Sequence, residues 1–204
     1  MSKLIVCTLM SIDGYTAGEG GDVMVLPLDE SFSAYNATRL REAGTLLLGG
    51  TTYRGFVSYW PGVEGDETQP ALEREISSIN NRIRKIVVSD SLTPDDTGPW
   101  RDTTEIVRRA AAHQRVAELK RDTGGDILMF GSATLWNDLL AAGLVDELHL
   151  MVGADAIGGG DPAFRAAYGG QAFDGELALT EVRRLEGSHN VLLTYQVNGA
   201  GPAQ

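Results

Sequence analysis

Two stretches of the sequence carry the groups that hold phosphate. Leu46-Leu47-Leu48-Gly49-Gly50-Thr51-Thr52-Tyr53 and Ile127-Leu128-Met129-Phe130-Gly131-Ser132-Ala133-Thr134-Leu135 each run from an apolar strand through glycine into a hydroxyl-bearing helix start. Glycine permits a tight turn and a close ligand approach, and the unpaired amides and dipole of a helix's first turn favour an anion. Two such junctions beyond the carboxyl ends of strands in one sheet point to a dinucleotide. At a single junction, a glycine that merely allows the turn is the more ordinary explanation. A third glycine run, Ile157-Gly158-Gly159-Gly160-Asp161-Pro162-Ala163, has the loose G-x-G-x-x-A spacing. It lacks an acidic partner at the right distance and reads as a solvent loop. For proton transfer the candidates are Asp13, in Ser11-Ile12-Asp13-Gly14, and Asp29, before a helix. Each has a plainer reading, Asp13 as a turn residue and Asp29 as a helix cap.

These groups must be positioned by a chain of 204 residues that is 43% hydrophobic and 22% charged, the composition of a globular protein. One domain is expected over 1–197, followed by a small, polar, flexible tail over 198–204. A net charge of -11 works against binding nucleic acid or an anionic membrane surface. The single cysteine, Cys7, closes no internal disulfide, and His113, His149 and His189 have no metal-ligand spacing, so no metal is expected. The amino terminus lacks a signal-peptide pattern and no run reaches the ~18 apolar residues of a membrane span, which makes a cytoplasmic location the expectation. Glycine stands out, with 25 residues where ~7% is typical.

The hydropathy pattern alternates. Strand-length apolar runs occur at Leu4–Leu9, Thr45–Leu48, Lys85–Val88 and Asp126–Phe130, with a shorter one at Thr104–Val107. Helical spacing occupies Asp29–Arg41, Ala71–Asn81, Ala112–Arg121 and Ser132–Ala142, the last with Ser132 as its cap and Gly143 as its stop. Beyond it Glu147–Ala154, Glu176–Leu185 and Asn190–Val197 read as strands, the last two as a hairpin. The chain therefore reads as an α/β fold, a mostly parallel sheet with flanking helices and antiparallel C-terminal edge strands.

The ordered set of motifs resembles the dihydrofolate-reductase-like superfamily. It comprises Ser11-Ile12-Asp13-Gly14-Tyr15 after the first strand, the Gly49 junction, Lys85-Ile86-Val87-Val88-Ser89, the Gly131 junction and Gly143-Leu144-Val145-Asp146-Glu147-Leu148. Within that superfamily the chain is most similar to the branch of the reductase domain of bifunctional riboflavin-biosynthesis enzymes and its stand-alone relatives, over about Lys3 to Val197. The resemblance implies a three-layer dihydrofolate-reductase-like fold. It also implies a nicotinamide-dependent reductase, passing hydride to a C=N or C=O carbon of a small pyrimidine- or pterin-like substrate, as a 5-amino-6-(5-phosphoribosylamino)uracil reductase does. It assigns Gly49, Gly50, Thr51 and Thr52 to the cofactor pyrophosphate and Ser89 to the adenosine ribose. Gly131, Ser132, Ala133, Thr134 and Leu135 become the second phosphate turn, and Ala17 part of the loop over the nicotinamide. A homodimer is implied as well.

NADPH is the cofactor the resemblance implies. Many members carry Arg where this chain has Gly50, and Asp90 follows Ser89 where an anion would repel a ribose 2'-phosphate. NADH therefore stays open beside NADPH, with Arg54 and Arg84 as nearby basic groups. Arg39, Arg41 and Arg165 are the candidates to anchor a phosphorylated substrate. The proton is expected from Asp29, Asp13 or water. A second reading of the same residues is a dinucleotide-binding or sensor protein without turnover.

Overall fold

The computed structural model describes residues 1–122, 124–168, 170 and 173–198. The strands in chain order are β1 (Leu4–Met10), β2 (Tyr15–Ala17), β3 (Ala43–Gly49), β4 (Arg84–Val88), β5 (Thr104–Val107), β6 (Asp126–Phe130), β7 (Glu147–Val152), β8 (Asp161–Pro162), β9 (Glu176–Arg184) and β10 (Val191–Asn198). The helices are α1 (Glu30–Glu42), α2 (Gly50–Val63), α3 (Ala71–Arg82), α4 (Ala112–Leu119) and α5 (Ala133–Ala141), with a long 3-10 segment over Pro94–Thr103. Of the tail expected over 198–204, Asn198 closes β10 and residues 199–204 lie outside the described residues. The chain forms two compact units, one of Met1–Lys3 with Ser33–Ser132, the other of Leu4–Phe32 with the chain from Ala133 onward.

In the first unit four strands run parallel in the order β5-β4-β3-β6. Leu46, Leu47 and Leu48 are all fully buried, so consecutive side chains pointing to opposite faces are both covered. Leu48 pairs with Val87 and Val87 with Ile106 across three strands. Against this row pack Tyr53, Phe56, Val57 and Trp60 of α2, at the three- and four-residue spacing of one helix face. That helix extends well beyond the start the Gly49 junction announced. Leu92 and Trp100 complete the cluster, Trp100 carried by the 3-10 segment and tied by its ring N–H to Asn81 Oδ1 at 2.8 Å. Lys85 is fully buried on β4. Its Nζ donates to Ile83 O at 2.8 Å and Thr103 Oγ1 at 3.1 Å and lies 4.3 Å from the Trp100 ring centroid, and desolvation pushes its pKa down to about 8.

In the second unit β1 pairs parallel with β7, and β10 pairs antiparallel with both β7 and β9. A bulge interrupts the hairpin: Glu181 lies opposite Thr194 but Leu179 opposite Tyr195, which leaves Thr180 as the extra residue. Leu177 and Leu179 thereby join Val182, Leu193, Tyr195 and Val197 on one face, where Leu179 is 53% and Val182 61% exposed. β2 and β8 form a separate two-stranded pairing that the hydropathy pattern did not announce. Gly160 makes it feasible: its φ is +125°, and a Cβ there would stand 2.2 Å from the Ala17 carbonyl oxygen.

Candidate active site

In the first unit the turns after β3 and β6 are knotted through side chains. The Gly49 amide donates to Ser132 Oγ at 2.9 Å, Ser132 Oγ donates to Thr52 Oγ1 at 3.0 Å, and the Ser132 amide donates to the same Thr52 oxygen at 3.1 Å. Thr52 Oγ1 thus accepts twice, which leaves its proton as the remaining hydrogen-bonding capacity of that hydroxyl. Gly131 and Ser132 both have positive φ, 51° and 55°, and a Cβ on Gly131 would lie 3.2 Å from Thr52 Oγ1. A serine held there is strained by about 1–2 kcal/mol, a cost of the kind found at binding sites. Ser132 was expected to cap α5; its hydroxyl is instead spent on Gly49 and Thr52, because the left-handed turn aims it at the neighbouring junction.

The Gly49 amide is consumed within the fold, so the groups offered to an anion are those of the next residues. α2 begins at Gly50, its N-cap Gly49 makes no side-chain cap, and Thr51 is exposed. The first-turn amides of a 14-residue helix therefore point past the carboxyl edge of the parallel sheet. Gly50 has a packing reason as well: a Cβ there would stand 2.8 Å from Ser89 Oγ. A side chain at position 50 would therefore require the Ser89 hydroxyl to move.

Ser89 Oγ accepts from the amides of Ser91 and Leu92 at 3.2 and 3.1 Å, shaping the turn after β4. Around this turn gather basic groups. Arg54 donates to Ser91 Oγ at 3.1 Å, and Arg108 Nη1 to the carbonyls of Ser89 and Leu92 at 3.0 and 3.1 Å. Asp90 takes the Arg109 amide at 2.9 Å and faces its guanidinium at 3.6 Å. Arg108 and Arg109 were missed in the sequence, although two arginines directly after a strand's carboxyl end were a readable signal. Arg84 pairs with Glu105 at the opposite end of β4 and takes no part here.

In the second unit the two candidate carboxylates have separate partners. Asp13 accepts from the amides of Ile157 and Gly158 at 3.2 and 2.7 Å. A hydrogen bond from Ser11 and the Gly158 amide hold its carboxyl below the usual range, so it is ionised at neutral pH. Asp29 caps α1 by accepting from the Phe32 amide at 2.9 Å through one oxygen, and its other oxygen receives the Ser188 hydroxyl and, at 3.3 Å, Asn190 Nδ2. Ala17 ends β2, is buried and pairs with Asp161 of β8. Ala133 and Thr134 open α5, while the Leu135 side chain is buried in the core.

The arginines expected to anchor a phosphorylated substrate are engaged locally. Arg165 donates to Pro162 O at 2.8 Å and stands 3.4 Å from Thr134 Oγ1. Arg41 makes a two-pronged bond to Glu75, and Arg39 pairs with Glu42 at 2.7 Å. Among the described residues no group of three or more His, Cys, Asp or Glu side chains is placed to hold a metal, and no helix is long and apolar enough to cross a membrane.

Residues 2–191 match the RibD C-terminal domain. The chain belongs to the RibD C-terminal domain family. The family is of the reductase type. An uncharacterized protein, YyaP, of Bacillus subtilis is 26% identical over 164 residues, covering 79% of this chain and 80% of that protein. Among solved structures, a pyrimidine reductase-like protein from Corynebacterium diphtheriae superimposes with a TM-score of 0.65 at 16% identity, over 97% of this chain and 92% of that one. Dihydrofolate reductase from Enterococcus faecalis does so with a TM-score of 0.54 at 15% identity, covering 96% of each chain. The fold of this RibD C-terminal domain is therefore the dihydrofolate-reductase-like α/β fold, with a mostly parallel sheet and antiparallel C-terminal strands.

Proposed function

We propose that this RibD C-terminal domain protein is a nicotinamide-dependent reductase, with NADPH as the donor, that reduces a C=N or C=O bond of a small pyrimidine- or pterin-like heterocycle. A 5-amino-6-(5-phosphoribosylamino)uracil reductase-like activity is the specific form of this reading. The observation that carries it is the knot of Gly49, Thr52 and Ser132, which ties two glycine turns together beside an uncapped helix start. Those residues fit a pyrophosphate: amides of Gly50 and Thr51 and the hydroxyl of Thr52 are donors without the bulk that would keep a phosphate away. When bound, the nicotinamide supplies the hydride.

The chain's own groups then hold and orient the reactants. Ser132 and Gly131 fix the Thr52 hydroxyl, and Asp13 clamps the Ile157-Gly158 backbone. Both oxygens of Asp13 and of Asp29 already accept hydrogen bonds. We therefore assign the proton to water and give the two carboxylates positioning roles. We further propose a homodimer, the half-exposed apolar face of β9 and β10 being the surface a second copy covers; sedimentation of the full chain with Val182→Lys, expected to be monomeric, checks it.

Titration with NADPH and NADH, followed by nicotinamide fluorescence, tests the reductase reading. Saturable binding with oxidation against a panel of pyrimidine and pterin heterocycles is the expected result. Binding of neither cofactor overturns it, and binding without oxidation by any heterocycle assigns the sensor reading instead.

A further inference from the structure

The charge of this protein is divided unevenly between its two units. The first unit holds 14 acidic and 14 basic side chains and is neutral, whereas the second holds 14 acidic side chains against Arg165, Arg183 and Arg184 and so carries the whole net charge of -11. Each of these three cations is engaged within its own unit: Arg165 donates to Pro162 O at 2.8 Å, Arg183 pairs with Glu181 at 3.1 Å, and Arg184 donates to Ser188 O at 2.9 Å. The segments 11–28 and 153–165, which meet at the β2–β8 pairing, contain Asp13, Glu19, Asp22, Asp155 and Asp161 with Arg165 as their one basic residue. What they show besides carboxylates is apolar. After Ala17 the chain closes a compact loop in which the Gly18 amide donates to Asp22 O at 2.7 Å, the Met24 amide to Asp22 Oδ1 at 2.9 Å and the Leu26 amide to Val23 O at 3.1 Å. Leu26 is buried and Val25 lies against Gly18, where a Cβ would stand 3.2 Å from its Cγ2. The loop thereby fixes Val23, Met24 and Val25 in one turn and leaves all three exposed, Met24 by 75%; Ile12, after β1, is exposed as well.

We infer that the substrate of this protein is a heterocycle bearing an apolar substituent and no phosphate or other anionic group. The inference rests on the reductase reading, under which the second unit supplies Asp13, Ala17 and Asp29 to the reacting end of the ligands. A phosphate is held by arginine forks or helix-start amides in a field that favours an anion. In this unit the arginines are already bonded and the field around the β2–β8 pairing is that of carboxylates. The start of α1 is taken by Asp29, whose own carboxylate accepts the Phe32 amide at 2.9 Å, and Arg39 and Arg41 of that helix are bonded to Glu42 and Glu75. A dianion is repelled here, whereas an uncharged ring is not. Val23, Met24 and Val25 offer its substituent a surface to leave water against, worth roughly fourfold in affinity per buried methylene. The uracil-reductase-like form of the reading is narrowed to its ring chemistry, on a compound without the phosphate.

Turnover and calorimetric binding by the full chain, with NADPH and with NADH, are compared for 5-amino-6-ribosylaminouracil against its 5'-phosphate and for 6-propyl- against 6-carboxy-7,8-dihydropterin. Expected is a preference of roughly 10-fold or more for the uncharged member of each pair, in kcat/KM and in affinity. The preference narrows as KCl is raised from about 0.05 to about 0.5 M, because exposed carboxylates are screened. Met24→Lys, at an exposed position, is expected to raise binding of the two charged compounds severalfold and to weaken that of the 6-propyl ring. A preference for the charged members, or one that neither salt nor Met24→Lys changes, overturns the inference and leaves the reductase reading standing. Binding of the uncharged rings without oxidation of either cofactor overturns the reductase reading and keeps the ligand class, and binding of no ring overturns both.

Discussion

Ser132 Oγ takes the Gly49 amide proton at 2.9 Å and gives its own to Thr52 Oγ1 at 3.0 Å. The turns after β3 and β6 are therefore one hydrogen-bonded body, and the serine is held at a φ of 55° to make it so. Ser132→Ala keeps the strain and loses both bonds, for an expected loss of about 1–3 kcal/mol in urea denaturation. Ser132→Gly loses the bonds but relieves the backbone held at a φ of 55°, so it is the more stable of the two variants. Thr52→Val, which removes the hydroxyl, is expected to raise the NADPH Kd by roughly tenfold or more.

Gly50 and Ser89 form a second close pair: a Cβ on Gly50 would stand 2.8 Å from Ser89 Oγ and 3.1 Å from its Cβ. Gly50→Ala is expected to cost about 1–3 kcal/mol through overpacking, and far less in a Ser89→Gly background, where the opposing side chain is gone. A double-mutant cycle measured by chemical denaturation gives the coupling directly. Independent, additive costs are the result that rejects this contact.

Lys85 sets a pH dependence. Its pKa falls from the usual 10.5 to about 8 in the folded protein. Between those values the unfolded chain binds the proton and the folded one does not, so stability rises with pH from about 8 toward 10. The window closes near 10, where Tyr53, its phenol pushed up by burial, begins to contribute with the opposite sign. Lys85→Met is expected to flatten the rise and to add about 1–3 kcal/mol at pH 7, since a packed apolar chain replaces a desolvated charge. Denaturation midpoints from pH 7 to 10 for both proteins check the slope.

Much of this arrangement was legible in the amino-acid order. Leu46–Leu48 and Ile127–Met129 announce strands covered on both faces, and the structure matches Asp126–Phe130 and Thr104–Val107 residue for residue. What hydropathy does not encode is pairing through side chains. Nothing in the spacing of Gly49, Thr52 and Ser132 states that the serine hydroxyl leaves its own helix for the neighbouring turn; that follows from a positive φ only the assembled turn imposes. The 3-10 segment over Pro94–Thr103 was equally hidden, because its burial depends on single residues, Thr97 and Trp100, and not on a period. Asp90 reads in isolation as a repellent of phosphate. Its answer, Arg109, lies 19 residues away and becomes visible only where β4 and β5 run side by side.

Asp29 joins the start of α1 to the Ser188–Asn190 turn. Asp29→Ala removes a cap and a latch together, and an expected loss of about 2–4 kcal/mol combines a capping bond with bonds to a charged group. Asp29→Asn retains the cap and loses less. Under the positioning role, reductase turnover in Asp29→Asn follows the folded fraction; a collapse of kcat in fully folded protein is the result that makes Asp29 the proton donor instead.

The single extra residue in β9, Thr180, has a consequence for how this surface can change through descent. Without it, Leu177 and Leu179 would exchange faces with Glu176 and Ala178, since strand side chains alternate with a period of two. Loss of one codon would thus scatter the apolar face without altering any other amino acid, and its return would restore it. A surface of that kind is acquired or discarded in one genetic step, whereas each side chain of the Arg54, Arg108 and Arg109 cluster has to be gained separately.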